Sequence, residues 1–221
     1  MKLVLKVSAM ALAAMTAVSS ANAQSIVGAV GGVINSGGPG FGTLNETWNQ
    51  AGLLSNYVSG VTDFNTFTAT ARHTFVFFGF EWFSVQNSTS ASVTYDLGAL
   101  MGIDGMALWN DEAAGIGSLN LLGSSDNISF SNLALGLSPS NPASSVTNYG
   151  ADVFGFGTAT LRYVRLDMSQ CPQPNSSFPS CSIGEVAFRT ASTTVPEPGT
   201  YALMLGGLAG LGLVARRRRS I

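Results

Sequence analysis

Lysine is missing from the central part of this 221-residue chain, because both of its lysines, Lys2 and Lys6, lie near the N-terminus. Residues 24–194 carry four arginines against eleven carboxylates, a net charge of −7. Nucleic acids and anionic lipid surfaces are bound through basic patches. The central segment therefore argues against a nucleic-acid partner, whereas it is compatible with neutral polysaccharides or divalent cations.

Histidine is also scarce, and the familiar catalytic patterns are missing. The single histidine, His73, stands at the head of an aromatic run, where we predict a structural role. The sequence contains no Gly-x-Ser-x-Gly or His-Glu-x-x-His motif. The adjacent acids Asp111 and Glu112 resemble the carboxylate pair of glycoside hydrolases, but neighbours in a glycine-rich loop point in divergent directions, and we expect them to be solvated. These features favour a non-catalytic protein.

The N-terminus has the features of a secretory signal peptide. Two lysines precede an apolar stretch, and Ala21-Asn22-Ala23 supplies the small-x-small cleavage pattern. We predict that residues 1–23 engage the Sec export machinery and that signal peptidase cuts between Ala23 and Gln24. An uncleaved anchor helix is the alternative.

The C-terminus combines three features in a fixed order. These are the motif Val195-Pro196-Glu197-Pro198-Gly199-Thr200, the apolar run Tyr201 to Ala215, and the basic cluster Arg216, Arg217, Arg218 and Arg219. Proline fixes φ and lacks an amide donor, so the motif should be extended and exposed. The arginines hold the end of the apolar run on the cytoplasmic side of a membrane, by the positive-inside rule.

This order of motif, apolar segment and basic cluster resembles the PEP-CTERM sorting signal of bacterial envelope proteins. The resemblance covers the tail alone. It implies that an exosortase, a membrane transpeptidase, recognises Pro196, Glu197 and Pro198 and removes or replaces the tail. It also implies export in a Gram-negative bacterium, a transient inner-membrane anchor, and a final place at the cell surface or in the extracellular matrix.

A permanent membrane anchor is the alternative interpretation of the tail. The apolar run has 15 residues, about 22 Å of helix at 1.5 Å per residue, whereas a bilayer core is about 30 Å thick. Four glycines within the run, Gly206, Gly207, Gly210 and Gly212, weaken a helix further. A short, glycine-rich segment favours processing over permanent anchoring.

Cys171 and Cys181 are the two cysteines of the chain, and the nine residues between them include three prolines. Exported proteins form and keep disulfides, so we predict a bond between these residues. A zinc site with His73 is the weaker alternative, because it would lack a fourth ligand.

From residue 73 onward, short β-branched or aromatic runs alternate with turn residues, which predicts an all-β sandwich or jelly roll. The runs are 73–85, 91–97, 103–109, 118–122, 128–133, 161–168 and 182–189. In 162–168, Val164, Leu166 and Met168 share one face and polar residues the other. Residues 24–44 are set apart as a glycine-rich leader with an early strand, and a short helical turn is expected within 45–57.

Five segments resemble a discoidin-type, galactose-binding-like domain. They are Val93-Thr94-Tyr95-Asp96-Leu97-Gly98, Ile103-Asp104-Gly105-Met106-Ala107-Leu108-Trp109-Asn110, Leu121-Leu122-Gly123-Ser124-Ser125-Asp126, Arg162-Tyr163-Val164-Arg165-Leu166 and Ile183-Gly184-Glu185-Val186-Ala187-Phe188. The resemblance implies a jelly-roll β-sandwich whose loops at one end often bind sugars, sometimes lipids or proteins. The chain then divides into signal peptide 1–23, leader 24–44, sandwich 45–190, linker 191–200 with the Pro-Glu-Pro motif, and transmembrane segment with arginine cluster 201–221.

The same resemblance implies a structural calcium between an early loop and the last strand. The matching places are Asp63 and Glu185, and Glu185 shares a strand face with apolar neighbours. A buried carboxylate needs a partner, and calcium takes six to eight oxygen ligands. The alternative is an ion pair of Glu185 with Arg165 or Arg189.

Three functions remain open from the sequence. The first is an exported non-catalytic envelope or matrix protein that associates with exopolysaccharide. The second is a structural or adhesive surface protein that binds other proteins, and the third is a polysaccharide-active enzyme. Aromatic faces pack on sugars, but Trp82 and Trp109 lie in strand-like runs that favour core packing, which leaves Trp48 undecided.

Overall fold

The computed structural model describes residues 24–77, 79–143, 147–192 and 205–208. Ala23–Ser192 form one compact unit. The predicted signal peptide, the Pro196–Pro198 motif and the Arg216–Arg219 cluster lie outside the described residues, and 205–208 are helical. No helix in the described part of the chain is long and apolar enough to cross a membrane.

The described residues between 24 and 192 contain eleven strands, one α-helix and one 3-10 turn. The strands are β1 Ile26–Val27, β2 Gly31–Ser36, β3 Arg72–Thr74, β4 Trp82–Phe83, β5 Ser90–Trp109, β6 Ser118–Ser124, β7 Ser131–Leu137, β8 Asn148–Gly150, β9 Asp152–Ser169, β10 Ser182–Ile183 and β11 Glu185–Thr190. The 3-10 turn is Leu44–Thr47 and the helix, α1, is Phe64–Thr70. The all-β prediction is confirmed.

Two long strands, β5 and β9, pair antiparallel along most of their length and carry the fold. The main sheet has the order β1-β11-β5-β9-β6-β7, and β2 also pairs with β5. The first half of β5 pairs with β2, and its second half pairs with β11. The ladder is irregular between Asp96 and Met101, where Gly98 has a φ of +85° that L side chains rarely adopt. The strands bend there, so the two halves of the sheet face one another as a sandwich.

The core lies between these two halves. Tyr95, from the first half of β5, has its ring centroid 6.1 Å from that of Phe188 on β11, and both side chains are fully buried. In β9 the predicted alternation is confirmed, because Val164, Leu166 and Met168 are all buried. Burial of such side chains stabilises the fold by about 1.5–3 kcal/mol each.

The tryptophans belong to the interior of the sandwich. Trp82 and Trp109 are fully buried, which confirms the predicted core packing. Trp48 is half-buried, and its ring meets Tyr95 edge-on at a centroid distance of 5.7 Å. None of the three therefore forms an exposed sugar-stacking platform.

The glycine-rich leader contributes strands to the main sheet. Residues Ile26 and Val27 pair with β11, and β2 pairs with the first half of β5. The sandwich therefore begins at about residue 25. A glycine-rich segment can supply an edge strand such as β2, because strands pair through backbone hydrogen bonds.

The predicted strand over 73–85 is wrong, since this run forms two short strands with a loop between them. β3 pairs with β8 and β4 pairs with β10, while the described residues 75–77 and 79–81 lie outside strands. The 128–133 run is also shifted, because Asp126 accepts hydrogen bonds from the backbone of Ile128 and Ser129 and holds a turn there. The helix α1 was not predicted; its N-cap is Asp63, which accepts from Thr66.

Candidate functional site

Several loops meet at one end of the sandwich, which we call the loop end. It contains residues 37–41, 75–77, 79–89, 110–116, 138–142 and 171–181. Phe41 and Phe83 exchange two backbone hydrogen bonds. The amide of Phe178 donates to the carbonyl of Ala113, and the side chain of Asn141 donates to Pro174. The loops are therefore fastened to one another by backbone contacts.

A disulfide joins Cys171 to Cys181, as predicted. Both cysteines are buried, at 4% and 0% exposure. In the loop that they close, the backbone amide of Gln173 donates to the carbonyl of Ala114. The carbonyl of Cys181 accepts from the backbone amide of Ser84. Because both sulfurs are used in this bond, the alternative zinc site is ruled out.

We expect loss of this disulfide to destabilise the domain without preventing its folding. Replacing both cysteines by serine should lower the free energy of unfolding by about 2–3 kcal/mol, since the closed loop is short. Urea denaturation of the exported protein, with and without the substitutions, measures the difference. Reduction of the wild-type protein should give the same loss, and two free thiols in the untreated protein would contradict the assignment.

Phenylalanines from three loops form an exposed apolar groove of about 310 Å³, which we call the aromatic groove. Its lining residues are Phe41, Val76, Phe77, Phe83 and Phe178. Three of the rings are about half exposed, with values of 50%, 57% and 48% for Phe41, Phe77 and Phe178. The buried Phe83 forms the floor, with its ring centroid 6.4 Å from Phe41 and 5.3 Å from Phe178.

A second groove, of about 390 Å³, continues from the aromatic groove and adds polar groups. It shares Phe41, Phe83 and Phe178 with the first, and its polar side chains are those of Ser84, Gln86 and Ser180. Apolar ring faces thus lie next to hydroxyl and amide groups. The sequence pattern missed this site, although Phe41 stands between two glycines in a segment rich in turn residues.

Two carboxyl groups accept hydrogen bonds from the backbone of the loop that carries Phe77, which comprises residues 75–77 and 79–81. The amide of Val76 donates to Glu112 Oε1 at 2.7 Å, and the amide of Phe77 donates to Glu81 Oε2 at 3.1 Å. The loop backbone is thereby satisfied by side chains beneath it, so Phe77 can be presented to solvent. The expectation that Asp111 and Glu112 are solvated was wrong, because both side chains are buried beneath the loops.

Three acids of this region are almost completely buried. Glu81, Asp111 and Glu112 are 2%, 1% and 3% exposed. Burial, with repulsion from neighbouring carboxylates, raises the pKa of Glu81 to about 9 and that of Asp111 to about 7. Burial also raises the pKa of Glu112. Asp111 Oδ1 accepts from two backbone amides and from Ser182 Oγ, so it fixes the turn that follows β5.

His73 is buried beside these acids. Its ring centroid lies 5.1 Å from that of Tyr149, and its Nδ1 is 2.9 Å from the carbonyl oxygen of Thr74. Burial lowers the pKa of His73 to about 4. The imidazole is thus buried and uncharged at neutral pH, and its structural role stays a prediction.

A polar groove of about 420 Å³ lies alongside the β3–β8 pair, and we call it the arginine groove. Its lining includes Arg72, Ser140, Asn141, Pro142, Asn148 and Gly150. Arg72 and Asn148 are exposed, while their strand neighbours His73 and Tyr149 point inward. Period-two alternation of the two strands therefore directs the charged and amide side chains to the surface.

The residues predicted to bind calcium do not fit a calcium site. Asp63 is engaged as the N-cap of α1. Glu185 is fully buried, and burial holds its pKa well above the usual range, which favours the uncharged carboxyl. Among the described residues, no group of three or more His, Cys, Asp or Glu side chains is arranged to hold a metal ion.

The alternative partners of Glu185 are engaged elsewhere. Arg165 pairs with Asp167 and Arg189 pairs with Asp104. Glu185 Oε2 instead accepts from the backbone amide of Gln50 at 3.2 Å. Its second oxygen, Oε1, is buried without a hydrogen-bond partner in the described structure.

Comparison with solved structures gives similar folds at low identity. Chitosan-binding module 1 of a chitosanase/glucanase from Paenibacillus sp. IK-5 is 16% identical with a TM-score of 0.47, over 73% of this chain and 95% of the module. The CBM32 of AlyQ in complex with 4,5-unsaturated mannuronic acid is 16% identical with a TM-score of 0.43, over 74% of this chain and 96% of that chain. These values leave the ligand of this chain open.

Comparison of the sequence itself identifies the tail. No curated protein matches the chain. Residues 194–219 match the family model of the PEP-CTERM protein-sorting motif. The predicted sorting signal is confirmed, and it implies that the chain is exported and processed by an exosortase.

Proposed function

We propose that this protein is a non-catalytic envelope or matrix protein whose domain binds extracellular polysaccharide at the loop end. The aromatic groove is the observation that carries the proposal. Aromatic rings bind the apolar faces of sugars and add to the energy of burial. Three half-exposed phenylalanines on one surface of an exported domain provide such faces.

The loop end is built to present these rings without rearrangement. The disulfide Cys171–Cys181 fixes one loop, and hydrogen bonds to Glu81 and Glu112 fix another. A site that is rigid before binding loses less conformational entropy when the ligand arrives. Gln86, which is exposed in the adjoining groove, supplies an amide for hydrogen bonds with sugar hydroxyls.

Burial of the acids supports the non-catalytic part of the proposal. A glycoside hydrolase places two carboxyl groups against the scissile bond. Here Asp111 and Glu112 are at most 3% exposed, and they serve the backbone of the loops above them. Neither residue lines the grooves of the loop end.

A glycan array tests the proposal. The mature protein should bind a restricted set of polysaccharides and should also bind the exopolysaccharide of the producing organism. Reducing sugar should not be released during the incubation. A protein with no bound glycan on the array or in the native matrix would contradict the proposal, and sugar release would favour an enzyme.

A surface for another protein is the second candidate function. It is favoured by the lining of the aromatic groove, whose five side chains are all apolar. Pull-down from the envelope fraction after enzymatic removal of polysaccharide distinguishes the two. Retention of a protein partner without polysaccharide supports adhesion, whereas loss of all binding supports the glycan.

Exosortase sorting predicts a specific trafficking defect. Replacing Pro196, Glu197 and Pro198 with alanine should leave an unprocessed form in the inner membrane, because the extended motif is lost while the apolar run remains. Immunoblots of fractionated cells measure the size and location of the protein. Alanine at Ser192 and Thr193, just upstream, is the control and should be processed. Normal surface display of the triple variant would refute the role of the motif.

The same proposal covers the N-terminus and the destination. Sec export and signal peptidase cleavage after Ala23 should leave Gln24 as the first residue of the mature protein. We propose a final place at the cell surface or in the matrix of a Gram-negative bacterium. N-terminal sequencing of the exported protein checks the cleavage site directly.

A further inference from the structure

Arg72 differs from the other arginines of the domain in having no carboxylate partner within the described residues. The three ion pairs are Arg162–Asp96, Arg165–Asp167 and Arg189–Asp104, with N···O distances of 2.7, 3.1 and 2.7 Å. The domain has no lysine and a net charge of −7. Among the described residues of this acidic domain, Arg72 is therefore the one arginine that forms no ion pair.

Asp152, an acid close to Arg72 in the strand pairing, has a partner of its own. Asp152 follows β8 and accepts from both the amide and the hydroxyl of Ser140, at 2.8 and 3.0 Å. Its Oδ2 is thus engaged by a residue of the groove wall. The guanidinium remains available although an acid is only two residues beyond its strand partner Gly150.

Gly150 provides the space in which the guanidinium lies. A Cβ at this position would collide with Arg72 Nη1. The side chain of Arg72 thus extends across the cross-strand position opposite to it, instead of projecting freely into water. Glycine at this position leaves room for the guanidinium at the edge of the groove.

The surroundings of Arg72 suit a sugar that carries an acid group. The guanidinium fork matches a carboxylate in a bidentate geometry. Asn148 is exposed on the same face, and Asn141 lines the same groove. Amides both donate and accept hydrogen bonds, so they complement the hydroxyls of a sugar ring that flank its carboxylate.

We propose that the arginine groove binds the carboxylate of a uronate unit in the polysaccharide. This inference rests on the proposed glycan-binding function and names the sugar class. Arg72 holds the carboxylate, Asn141 and Asn148 contact neighbouring hydroxyls, and Gly150 leaves room for the guanidinium. The negative charge of the rest of the domain disfavours highly charged polyanions, so the preferred ligand carries uronates among neutral sugars.

Calorimetric titration of the mature protein tests the inference. The probes are tetramers of galacturonate and of mannuronate, each compared with its carboxyl-reduced, neutral counterpart. We expect one acidic tetramer to bind about tenfold more tightly than its neutral counterpart, as for one charge-assisted contact. Arg72→Gln should abolish this preference, and Gly150→Ala should reduce it by displacing Arg72. Arg162→Gln, which removes an equal but paired charge, should leave the preference unchanged.

The outcomes separate this inference from the proposal on which it rests. Equal affinity for acidic and neutral tetramers, unchanged by Arg72→Gln, overturns the uronate site while glycan binding stands. A preference for the acid that survives Arg72→Gln also overturns it. Failure of all tetramers, together with failure of the native exopolysaccharide, overturns both proposals. A preference lost in Arg72→Gln, with neutral binding retained, supports the uronate site alone.

Discussion

The domain is expected to lose stability as the pH rises from 7 to 9. Burial raises the pKa of Glu81 to about 9 and also raises the pKa of Glu185, whereas Asp111, whose pKa is raised to about 7, has lost most of its contribution by pH 7. In the unfolded chain these carboxyls ionise near pH 4. Folding therefore retains protons that the unfolded chain has released, so the free energy of unfolding falls with increasing pH. We expect the melting temperature to fall by about 5–10 °C over this range.

Between pH 7 and 9, the groups whose pKa is lowered by folding do not change the free energy of unfolding. His73, whose pKa is lowered to about 4, contributes stability that is lost below about pH 6.5. The carboxylates of Asp96 and Asp126, whose pKa values are lowered by hydrogen bonds, lose their contribution only in acid. Above pH 7 these three groups have the same charge in both states, and the buried acids determine the slope.

Differential scanning calorimetry of two variants checks the assignment. Glu81→Gln removes the carboxyl whose pKa is raised to about 9 and should flatten the decline between pH 8 and 9. Asp126→Asn is the matched control, because its carboxylate caps an exposed turn, so it should change the melting temperature without changing the slope. A melting temperature that stays level or rises from pH 7 to 9 would rule out uncharged carboxyls beneath the loop.

Loss of the aromatic rings should strongly weaken polysaccharide binding. Phe41→Ala and Phe178→Ala should each weaken binding about tenfold, and the double variant by about a hundredfold, since each ring contributes a stacking contact. Both side chains are about half exposed, so the fold should tolerate their truncation. Affinity electrophoresis in gels that contain the native exopolysaccharide measures the change.

An exposed apolar residue away from the groove serves as the control. Ile128 is 84% exposed, it lies in the turn before β7, and Ile128→Ala should bind like the wild type. Unchanged migration of the Phe41→Ala/Phe178→Ala protein would place the glycan site elsewhere. An equal loss in the Ile128→Ala protein would indicate non-specific adhesion of apolar surface.

Local signals in the sequence predicted much of the fold and the tail. Alternation in 162–168 depends on the period of a strand, so the buried face of Val164 and Leu166 followed directly from the residue order. The disulfide followed from two cysteines in an exported chain. The sorting signal followed from the order of three features within the last 27 residues. Each of these depends on nearby residues alone.

The candidate site was not predictable because long-range contacts create it. An aromatic run such as 75–83 gives the same signal for a buried strand and for an exposed loop. Residues 75–77 and 79–81 of this run form a loop in the structure, with Gly79 at a φ of +90° and backbone hydrogen bonds to Glu81 and Glu112. Likewise, the segment that contains Asp111 has the composition of a surface turn. Asp111 is buried because it packs beneath the loop, which the local sequence does not indicate.

The most direct measurement of the central claim is an NMR titration of the mature domain, with labelled phenylalanine rings, by an oligosaccharide of the native exopolysaccharide. Binding at the aromatic groove predicts saturable shifts of the ring resonances of Phe41, Phe77 and Phe178, the rings that are about half exposed at this surface. The ring of Phe188 in the core should remain unchanged. Saturable binding that leaves all three groove rings unshifted would contradict glycan recognition at the loop end.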